Sequence, residues 1–585
     1  MPKRFTNKRI ADVLREMSVC YEMEDVSFKP AAYERAADVI ERLAEDTADI
    51  LKRDGQRGLV ALPGIGKGIA DHIEKLHARG DFREWRDCRR RLPEEALAIV
   101  AVPEIGPKKM KALHDRLKIK TLDDLARAAR KGQVRELPGF GEKSEQAILK
   151  GIALMRRAGQ RRLLGRVLPL ARELERRCKS LPGVKRAVVA GSLRRRRETV
   201  GDFDVVLTAA SPKRAMDSFA SLPQVKKTLE RGDRNIMVRL ENGMTCDVIV
   251  VPDGSFGAAV QHFTGNKDHN VEIRKLAAER GLKLNEYGLW RGKKRLASRT
   301  EREVYRRLGL PYVEPELRTA SGEIEAALKG KLPDLLPYGS VRGDLQVQTD
   351  WTDGAASVAE MTEAARKAGL EYFAVTDHTR SLAMAGGLDG RKLAAQGREI
   401  AKLNDRLKRA RRSFTVLSGA ETNILKDGRI DIPDASLARL DFVGAAVHAS
   451  FRLSKREQTE RLIRAMRNPH VDAIMHPTAR LIHRREPIEL DIERLMRAAR
   501  ETRTALEIDA FPERSDLKDT HVRLAVEHGV RLTVSTDAHH PDHFRFIELG
   551  EAIARRGWAR KRDVLNTRTA ASLLKWLRTP KQKRR

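Results

Sequence analysis

The stretch GSLRRRRETVGDFDVVL, residues 191–207, decides how the central part of this chain folds. The preceding residues 185–190 have the pattern of a strand that ends in the Gly191-Ser192 turn. Asp202 and Asp204 lie two positions apart in the next predicted strand, so both carboxylates point to the same face. Two carboxylates held side by side repel each other unless a cation lies between them. The stretch therefore predicts a metal site on a β-sheet.

A third carboxylate follows in the next predicted hairpin. Asn242-Gly243 lies between two apolar runs and is a strong signal for a two-residue turn. Asp247 stands in the returning strand among apolar neighbours, where an unpaired aspartate is costly, so a metal or a partner is expected. Three carboxylates on adjacent strands suit two magnesium ions, with Ser192 and Arg195 cradling phosphates. A lone Asp-x-Asp usually lies in a solvated strand, but this order of elements favours a nucleotidyltransferase.

Length and composition limit the number of domains and the kinds of binding partner. The chain has 585 residues, enough for three or four domains, and 41% of them are apolar. Its net charge of +33 favours nucleic acid or an anionic membrane surface over the alternative of a merely well-solvated surface. No apolar run reaches the roughly 18–20 residues of a membrane helix and no signal peptide is evident, so no membrane is expected. The widely spaced Cys20, Cys88, Cys178 and Cys246 argue against a zinc ribbon or a disulfide framework and for a reducing cytosol.

The N-terminal part is helical over residues 7–52 and then carries the same turn three times. The copies are Leu62-Pro63-Gly64-Ile65-Gly66-Lys67, Val102-Pro103-Glu104-Ile105-Gly106-Pro107 and Leu137-Pro138-Gly139-Phe140-Gly141-Glu142. Helix N-termini offer free N–H groups, and glycine lets a phosphate oxygen approach the backbone. The Pro-Gly-x-Gly form resembles the helix-hairpin-helix motif, which grips DNA phosphates without reading sequence. For the middle copy, where Glu104 replaces glycine, a plain packing corner is an equal alternative.

The region from residue 341 onward reads as a β/α domain. Strand-like runs at 373–376, 443–447, 472–475 and 531–535 alternate with helical patterns, which predicts mainly parallel strands. Histidines and acids stand at the strand ends, in Thr376-Asp377-His378, Gly419-Ala420-Glu421, Val447-His448, Met475-His476-Pro477 and Ser535-Thr536-Asp537-Ala538-His539. One such histidine is more often structural, but five clusters at the active face of a barrel indicate a metal site.

The segment after the predicted sheet indicates which class of nucleotidyltransferase the chain resembles. It contains His262-Phe263-Thr264-Gly265-Asn266, then Asn270 and Arg274, then Asn285-Glu286-Tyr287-Gly288. With the aspartates, residues 1–317 closely resemble the family X DNA polymerases. The resemblance implies two Mg²⁺ ions held by Asp202, Asp204 and Asp247 as the catalytic residues. It implies that the nucleotide is bound by Gly191, Ser192, Arg195, Phe263, Gly265 and Asn270. In that set Phe263 and Gly265 would line the sugar pocket, and Asn270 would touch the base from the minor-groove side. It also implies that DNA is bound by Arg274, Gly64, Gly66, Gly106, Gly139 and Gly141, with a monovalent cation at the hairpin motifs.

Two residues depart from the family pattern in this region. The family often has tyrosine where this chain has His262, which affects sugar discrimination. The beta-type enzymes carry a Schiff-base lysine where this chain has His72, and Lys67 and Lys75 do not occupy that position. Because histidine cannot form the imine, we expect no strong 5′-deoxyribose phosphate lyase activity.

The C-terminal domain resembles the polymerase-and-histidinol-phosphatase (PHP) family, a distorted barrel that binds up to three metal ions and hydrolyses phosphoesters. The resemblance implies Mn²⁺ or Zn²⁺ ligands at Asp353, His378, Glu421, His448, His476, Asp537 and His539. The family opens with His-x-His, whereas this chain has Gln346 and Gln348, both on one face of the strand. An amide is a weaker ligand than imidazole, so one metal position should be weakened or empty. Loss of the nuclease is favoured over a reduced activity.

The predicted fold is multidomain, α+β and α/β. Its parts are an 8-kDa-like helical domain with helix-hairpin-helix at 1–85, fingers at 86–160, a nucleotidyltransferase palm at 161–255, a thumb at 256–317, a linker around Pro333 and Pro337 at 318–340, and the PHP barrel at 341–585. The predicted function is DNA-directed DNA polymerase activity in short gaps, as in base excision repair, by a cytoplasmic monomer acting on gapped or primer-template DNA and deoxynucleoside triphosphates. The alternatives are a 3′–5′ exonuclease or AP endonuclease with the polymerase part as DNA holder, a non-catalytic DNA-end binder, and a template-independent or RNA-directed nucleotidyltransferase.

Overall fold

The computed structural model describes residues 5–43, 46–62, 64–102, 105–382 and 386–584, so Pro63, Pro103 and Glu104 of the predicted turns lie outside the described residues. The chain divides into two compact units, one dominated by residues 1–159 and one comprising 160–482 and 486–585. Within the described ranges, none of the helices combines the length and the apolar character needed to cross a membrane.

The first unit is helical. Its helices are α1 (Asn7–Met23), α2 (Lys29–Arg42), α3 (Thr47–Val60), α4 (Lys67–Arg79), α5 (Arg83–Arg89), α6 (Ala96–Val100), α7 (Pro107–Leu117), α8 (Leu122–Arg130) and α9 (Glu142–Gln160). Apolar residues at helical spacing bury two cores, one formed mainly by α1–α5 and the other by α6–α9.

The three predicted turns share one geometry. The buried residues Ile65, Ile105 and Phe140 each donate a backbone hydrogen bond three residues back, at 3.2, 3.1 and 3.0 Å. Gly66 and Gly106 then cap α4 and α7 with extended backbone. The repeat seen in the sequence is therefore a repeat in the structure.

The cysteine prediction was wrong for one pair. Cys20 and Cys88 form a disulfide that joins α1 to α5, while Cys178 and Cys246 are free and buried. Cys20 and Cys88 are 68 residues apart, so no local sequence signal indicates the pair. Only the packing of the helices brings the two thiols together.

The palm is a mixed five-stranded sheet in the order β2-β4-β7-β6-β5. Its region contains β1 (Arg162–Leu163), α10 (Leu164–Lys179), β2 (Val184–Val189), α11 (Gly191–Arg194), β3 (Thr199–Val200), β4 (Asp202–Ala209), α12 (Pro212–Ala220), β5 (Val225–Arg231), β6 (Asn235–Leu240) and β7 (Thr245–Val251). Alternating burial along β6 and β7 reflects one face against the core. The predicted two-residue turn at Asn242-Gly243 was wrong, because Leu240 donates to the carbonyl of Met244 and three residues lie between them.

The thumb region follows the palm. It contains α13 (Phe256–Thr264), α14 (Lys267–Glu279), β8 (Lys283–Asn285), β9 (Gly288–Arg291), β10 (Lys294–Ala297), α15 (Glu301–Arg307) and α16 (Glu323–Leu328). The expected linker at 318–340 is packed, since Ile324, Ala327 and Leu335 join the thumb core and Leu336 joins the core of the C-terminal barrel. Its prolines mark a bend in a buried connection instead of an exposed tether.

The C-terminal region is a parallel barrel of seven strands that neighbour one another in chain order. The strands are β11 (Gly343–Val347), β12 (Tyr372–Val375), β13 (Thr415–Asn423), β14 (Phe442–Ala446), β15 (Ala473–Ile474), β16 (Ala505–Asp509) and β17 (Leu532–Ser535). The helices are α17 (Val358–Lys367), α18 (Gly390–Arg409), α19 (Asp434–Leu437), α20 (Lys455–Arg467), α21 (Ile492–Thr502), α22 (Asp519–His528), α23 (Ile547–Arg556) and α24 (Ala570–Arg578).

The barrel closes between its first and last strands. The backbone N–H of Gln348 donates to the carbonyl of Ala538 at 2.8 Å, and the N–H of Ala538 donates to Gln346 at 3.1 Å. The predicted strand-end ligands therefore meet at one face, and the predicted multidomain α+β and α/β class is confirmed. In the basic C-terminal tail Lys581 and Arg584 are buried, and their partners include the Met466 carbonyl and Asp472.

Candidate active sites

A cavity of about 450 Å³ gathers the residues predicted for nucleotide binding. From the predicted set it is lined by Gly191, Ser192, Arg195, Asp202, Asp204, His262, Phe263, Gly265, Asn270 and Arg274. These residues come from two stretches of chain about 60 positions apart, the turn with β4 and the α13–α14 junction. The fold therefore brings these two segments together in one cavity.

The three aspartates lie on neighbouring parallel strands. Asp204 of β4 pairs in register with Asp247 of β7, and Asp202 precedes on the same face of β4. Gly191 fits closely against this group, because a Cβ added there would lie 1.9 Å from Oδ2 of Asp204. Gly191 also has φ +60°, which favours glycine. The turn and the carboxylate are thus packed against each other.

The charges of this group perturb its protonation. Burial, together with the nearby carboxylates of Asp202 and Asp247, raises the pKa of Asp204 to about 7. Burial and the charge of Asp202 also raise the pKa of Asp247. Carboxylates that resist ionisation in this way are relieved by a bound cation. The donor set of three carboxylates on adjacent strands suits magnesium, which prefers oxygen ligands.

The turn offers unsatisfied polar atoms to the same cavity. Ser192 Oγ and Arg195 Nε are buried and make no hydrogen bond within the described part of the chain. Burial and the neighbouring charge of Arg197 lower the pKa of Arg195 to about 10, and its Nη1 donates to the Thr264 carbonyl. Buried donors without partners are costly, so an anionic ligand such as a phosphate fits this position.

The residues predicted to contact the sugar and the base line the same cavity. Asn270 has internal partners, because its Oδ1 accepts from Gln261 at 2.8 Å and its Nδ2 donates to the His262 carbonyl at 2.7 Å. His262 lies edge-on to Phe263, with ring centroids 5.0 Å apart. Arg274 is exposed, with Nε donating to the Asn270 carbonyl at 3.2 Å. Asn270 thus anchors the His262 backbone as well as lining the cavity.

Sequence reasoning missed Arg161 and Lys267 of this cavity, and it quoted Asn266 without assigning it a role. Lys267 follows the quoted Thr264–Asn266 motif, so its position beside the predicted sugar pocket was a usable signal. Arg161 gave no such signal, because it reaches the site from an adjoining segment, donating to the Thr199 carbonyl at 2.6 Å. Both add positive charge where a triphosphate would lie.

Four glycines in the turns of the first unit have free space beside the backbone. A Cβ added at Gly66, Gly106, Gly139 or Gly141 would meet no heavy atom within 4 Å. These glycines are therefore not required by internal packing, and the space leaves room for a phosphate at a helix N-terminus. His72 is buried in the same unit, where its Nδ1 lies 2.9 Å from the Tyr33 hydroxyl and its ring stacks on Phe82 at 4.0 Å.

The barrel site brings the predicted ligands together at its strand ends. Asp353, His378 and His539 offer ligand atoms within 4.8 Å of one another, and so do His378, Glu421 and His448. His476 Nε2 lies 2.8 Å from Glu421 Oε1. Despite the cost of burial, the charges of His378 and His448 hold the pKa of Glu421 well below its ordinary value. This set of imidazoles and carboxylates fits a divalent cation.

The two glutamines occupy the remaining side of the barrel site. Gln348 Nε2 donates to Glu421 at 2.8 Å and to Asp537 at 3.3 Å, while Gln346 is buried with no hydrogen bond to its amide within the described residues. Arg514, which sequence reasoning missed, donates from Nε to Asp537 at 3.0 Å. The carboxylates on this side are therefore already contacted by protein N–H groups.

Known families and proteins match several parts of this chain. The description "Helix-hairpin-helix domain" matches residues 5–82, "SAM-like Helix-hairpin-helix tandem" matches 96–153, and "DNA polymerase beta thumb" matches 259–319. A Bacillus subtilis protein, "DNA polymerase/3′-5′ exonuclease PolX", is 36% identical over 569 residues, which cover 96% of this chain and 97% of that protein.

Two shorter matches concern parts of the chain. A "Probable phosphatase" of Acetivibrio thermocellus is 32% identical over 192 residues, covering 32% of this chain and 73% of that protein. "DNA polymerase lambda" of Rattus norvegicus is 30% identical over 161 residues, covering 22% of this chain and 28% of that protein. The palm, its thumb and the helical hairpins thus belong to a DNA-directed nucleotidyltransferase joined to a phosphoesterase-type barrel. Because one relative aligns over almost its entire length, the chain belongs to the family X DNA polymerases that carry a C-terminal PHP domain.

Proposed function

We propose that this family X polymerase fills short gaps in DNA during repair, adding nucleotides to the 3′ end with Asp202, Asp204 and Asp247 as its metal-binding carboxylates. The observation that carries the proposal is the register of Asp204 with Asp247 beside the packed Gly191 turn. Asp202 and Asp204 line a cavity that Phe263 and Gly265 also line. Asp247 does not line it and lies beside Asp204 on the neighbouring strand.

The residues of the proposed polymerase site have different roles. When bound there, two Mg²⁺ ions activate the primer hydroxyl and stabilise the leaving pyrophosphate. Asp202, Asp204 and Asp247 hold that charge, while Ser192 and Arg195 meet the triphosphate with their unsatisfied donors. Phe263 and Gly265 pack on the sugar, and Asn270 holds the pocket through its contact with the His262 backbone. Lys267 and Arg161 add positive charge for the triphosphate.

Duplex DNA is the proposed second substrate. The open glycine turns at Gly64, Gly66, Gly106, Gly139 and Gly141 offer backbone N–H groups to phosphates, with a monovalent cation as a further element of the motif. Arg274 contacts the template strand. This division gives residues 1–85 and 86–160 the DNA-holding role, 161–255 the catalysis and 256–317 the nucleotide pocket. The enzyme works as a monomer in the bacterial cytoplasm, where its DNA lies.

The barrel is proposed to have lost its nuclease. Two observations support this: Gln348 donates to both Glu421 and Asp537, and Arg514 donates to Asp537 from the other side. Donors at these carboxylates compete with a cation, so one metal position is lost. Asp353, His378, His539, Glu421, His448 and His476 retain the chemistry to hold Mn²⁺ or Zn²⁺. No lyase activity is proposed either, because His72 is a packed core residue and forms no imine.

Primer extension on a one-nucleotide gap, in Mg²⁺ and in Mn²⁺, tests the proposal when extension and degradation are scored together. We expect one nucleotide to be added and no 3′–5′ digestion. Digestion in Mn²⁺ that disappears in Asp537→Asn would contradict loss of the nuclease. Digestion without any extension would favour the alternative, a phosphoesterase that uses the polymerase part to hold DNA.

A further inference from the structure

The arginine segment, defined as residues 194–198, directly follows the turn that faces the nucleotide. Its first residue contacts the thumb, since Arg194 Nη2 donates to Glu301 at 2.6 Å. Arg195 lines the nucleotide cavity. The remaining residues turn to the C-terminal barrel, although the barrel begins more than 140 positions later. The segment that carries Arg195 is thus held from two directions.

Ion pairs attach the arginine segment to the barrel. Arg197 Nη1 donates to Asp519 at 2.7 Å, and Arg556 Nε donates to the same carboxylate at 2.9 Å. Arg556 also donates from Nη1 to the Arg196 carbonyl, and its side chain is only 1% exposed. Although burial opposes ionisation, the charges of Arg556 and Arg197 lower the pKa of Asp519 to about 2. Asp519 is therefore a charged centre that binds the two sides together.

A second pair strengthens the same attachment. Glu198 accepts from Arg480 at 2.8 Å and lies 3.4 Å from Arg556 Nη2. Charge-assisted hydrogen bonds of this kind, sheltered from water, hold geometry more firmly than exposed pairs do. In contrast, many other ion pairs of this chain join exposed neighbours on one helix, such as Lys329 with Glu325.

Apolar packing makes the junction rigid. The barrel residues Ala510, Phe546 and Leu549 belong to the same buried cluster as the palm core. A Cβ added at Gly165 of α10 would lie 2.5 Å from Pro512 of the barrel. The palm and the barrel therefore share one core, and the ion pairs lie beside a fixed surface.

The contacts with the barrel hold Arg196 in a strained backbone conformation. Arg196 has φ +54°, a left-handed conformation that a residue with a Cβ adopts at a cost. The hydrogen bond from Arg556 to its carbonyl and its own ion pair to Glu548 at 3.0 Å hold it there. Without these contacts the segment would relax and carry Arg195 with it.

We propose that the barrel acts as a positioning platform for the polymerase site, with Asp519 and Arg556 as positioning residues that hold the arginine segment so that Ser192 and Arg195 meet the triphosphate. The proposal rests on the proposed polymerase function and deepens it. It assigns the barrel a role in nucleotide binding that needs none of its metal ligands. It also predicts that the contribution of Asp519 passes through Arg197.

The test compares Asp519→Asn with Asp563→Asn in the full chain. Asp563 is a matched control, because it is another barrel aspartate with a side chain 14% exposed, and it pairs with Arg560 instead of the palm. We expect Asp519→Asn to raise the KM for the incoming deoxynucleoside triphosphate about tenfold, with kcat and the Kd for gapped DNA within about twofold. Asp563→Asn should match the wild type in all three.

Arg197→Gln is a second test variant, because the Arg197 side chain is 39% exposed and its replacement is less liable to cause misfolding. It should raise the same KM, and the double variant should add nothing to the larger single effect. An unchanged KM in both variants, or an equal rise in Asp563→Asn, would overturn the proposal. Primer extension by the wild type tests the polymerase function itself. If the wild type extends the primer and the variants have an unchanged KM for the nucleotide, the platform proposal is refuted and the polymerase function is not.

Discussion

Replacing Gly191 with alanine should disable the polymerase site while leaving the fold intact. The added Cβ would lie 1.9 Å from Oδ2 of Asp204, whereas ordinary contact needs about 3.4 Å, so the carboxylate must move by about 1.5 Å. A displacement of about 1 Å at a reacting centre can cost about 100-fold in rate. We therefore expect Gly191→Ala to lower kcat/KM for nucleotide addition by about 100-fold or more.

The matched control is Gly183→Ala, at the other end of β2. Gly183 has φ +76° and Gly191 has φ +60°, so alanine costs each about 1–2 kcal/mol of backbone strain. At Gly183, however, the added Cβ meets nothing within 4 Å. Melting temperature and single-turnover incorporation on a one-nucleotide gap separate the two effects. Both variants should lose similar stability, and only Gly191→Ala should lose activity. Activity of Gly191→Ala within about threefold of Gly183→Ala would refute the assigned contact between the turn and Asp204.

Two further predictions concern metal binding. The folded pKa of Asp204, about 7, lies above its unfolded value of 3.8, so in the metal-free protein the stability that this group contributes is fully present below about pH 4 and is lost as the pH rises through 7. Because Mg²⁺ must displace the proton, its apparent affinity in primer extension should fall about fivefold from pH 7 to pH 6. The stabilisation of the protein by Mg²⁺ in thermal melts should be larger at pH 8 than at pH 6. A Mg²⁺ requirement that is independent of pH would contradict this prediction. Replacing both Gln346 and Gln348 with histidine should add one Mn²⁺ per chain, measured by elemental analysis after dialysis, and should produce 3′–5′ digestion. An unchanged Mn²⁺ content would show that residues other than Gln346 and Gln348 also prevent the metal from binding at this position.

The sequence predicted most of the residues that line the cavity of Asp202 and Asp204, because its signals there are local. The two-residue spacing of Asp202 and Asp204 determines their shared face in a strand, and the Gly191 turn follows from glycine beside a predicted strand. The β/α alternation after residue 341 predicted the barrel for a related reason, since the ends of parallel strands meet on one face. His378, Glu421 and His448 could be grouped without knowledge of any contact.

Long-range contacts could not be predicted in this way. Arg197 and Asp519 are 322 positions apart, and neither belongs to a motif that names the other. The joining of Cys20 to Cys88 and the burial of Lys581 likewise depend on which helices pack together. A run of basic residues such as this tail is usually solvated, whereas here the backbone carbonyls of Met466 and Asn468 accept from the Lys581 amine.

Single-turnover nucleotide addition by Asp247→Ala on a one-nucleotide gap tests the central claim most directly. Asp253→Ala is the control, because Asp253 follows the same strand but is exposed and paired with Arg186 at 2.6 Å. We predict that Asp247→Ala adds no nucleotide and binds gapped DNA as the wild type does, while Asp253→Ala remains active. Retained incorporation by Asp247→Ala would contradict the assignment of Asp202, Asp204 and Asp247 as the metal-binding centre of this polymerase.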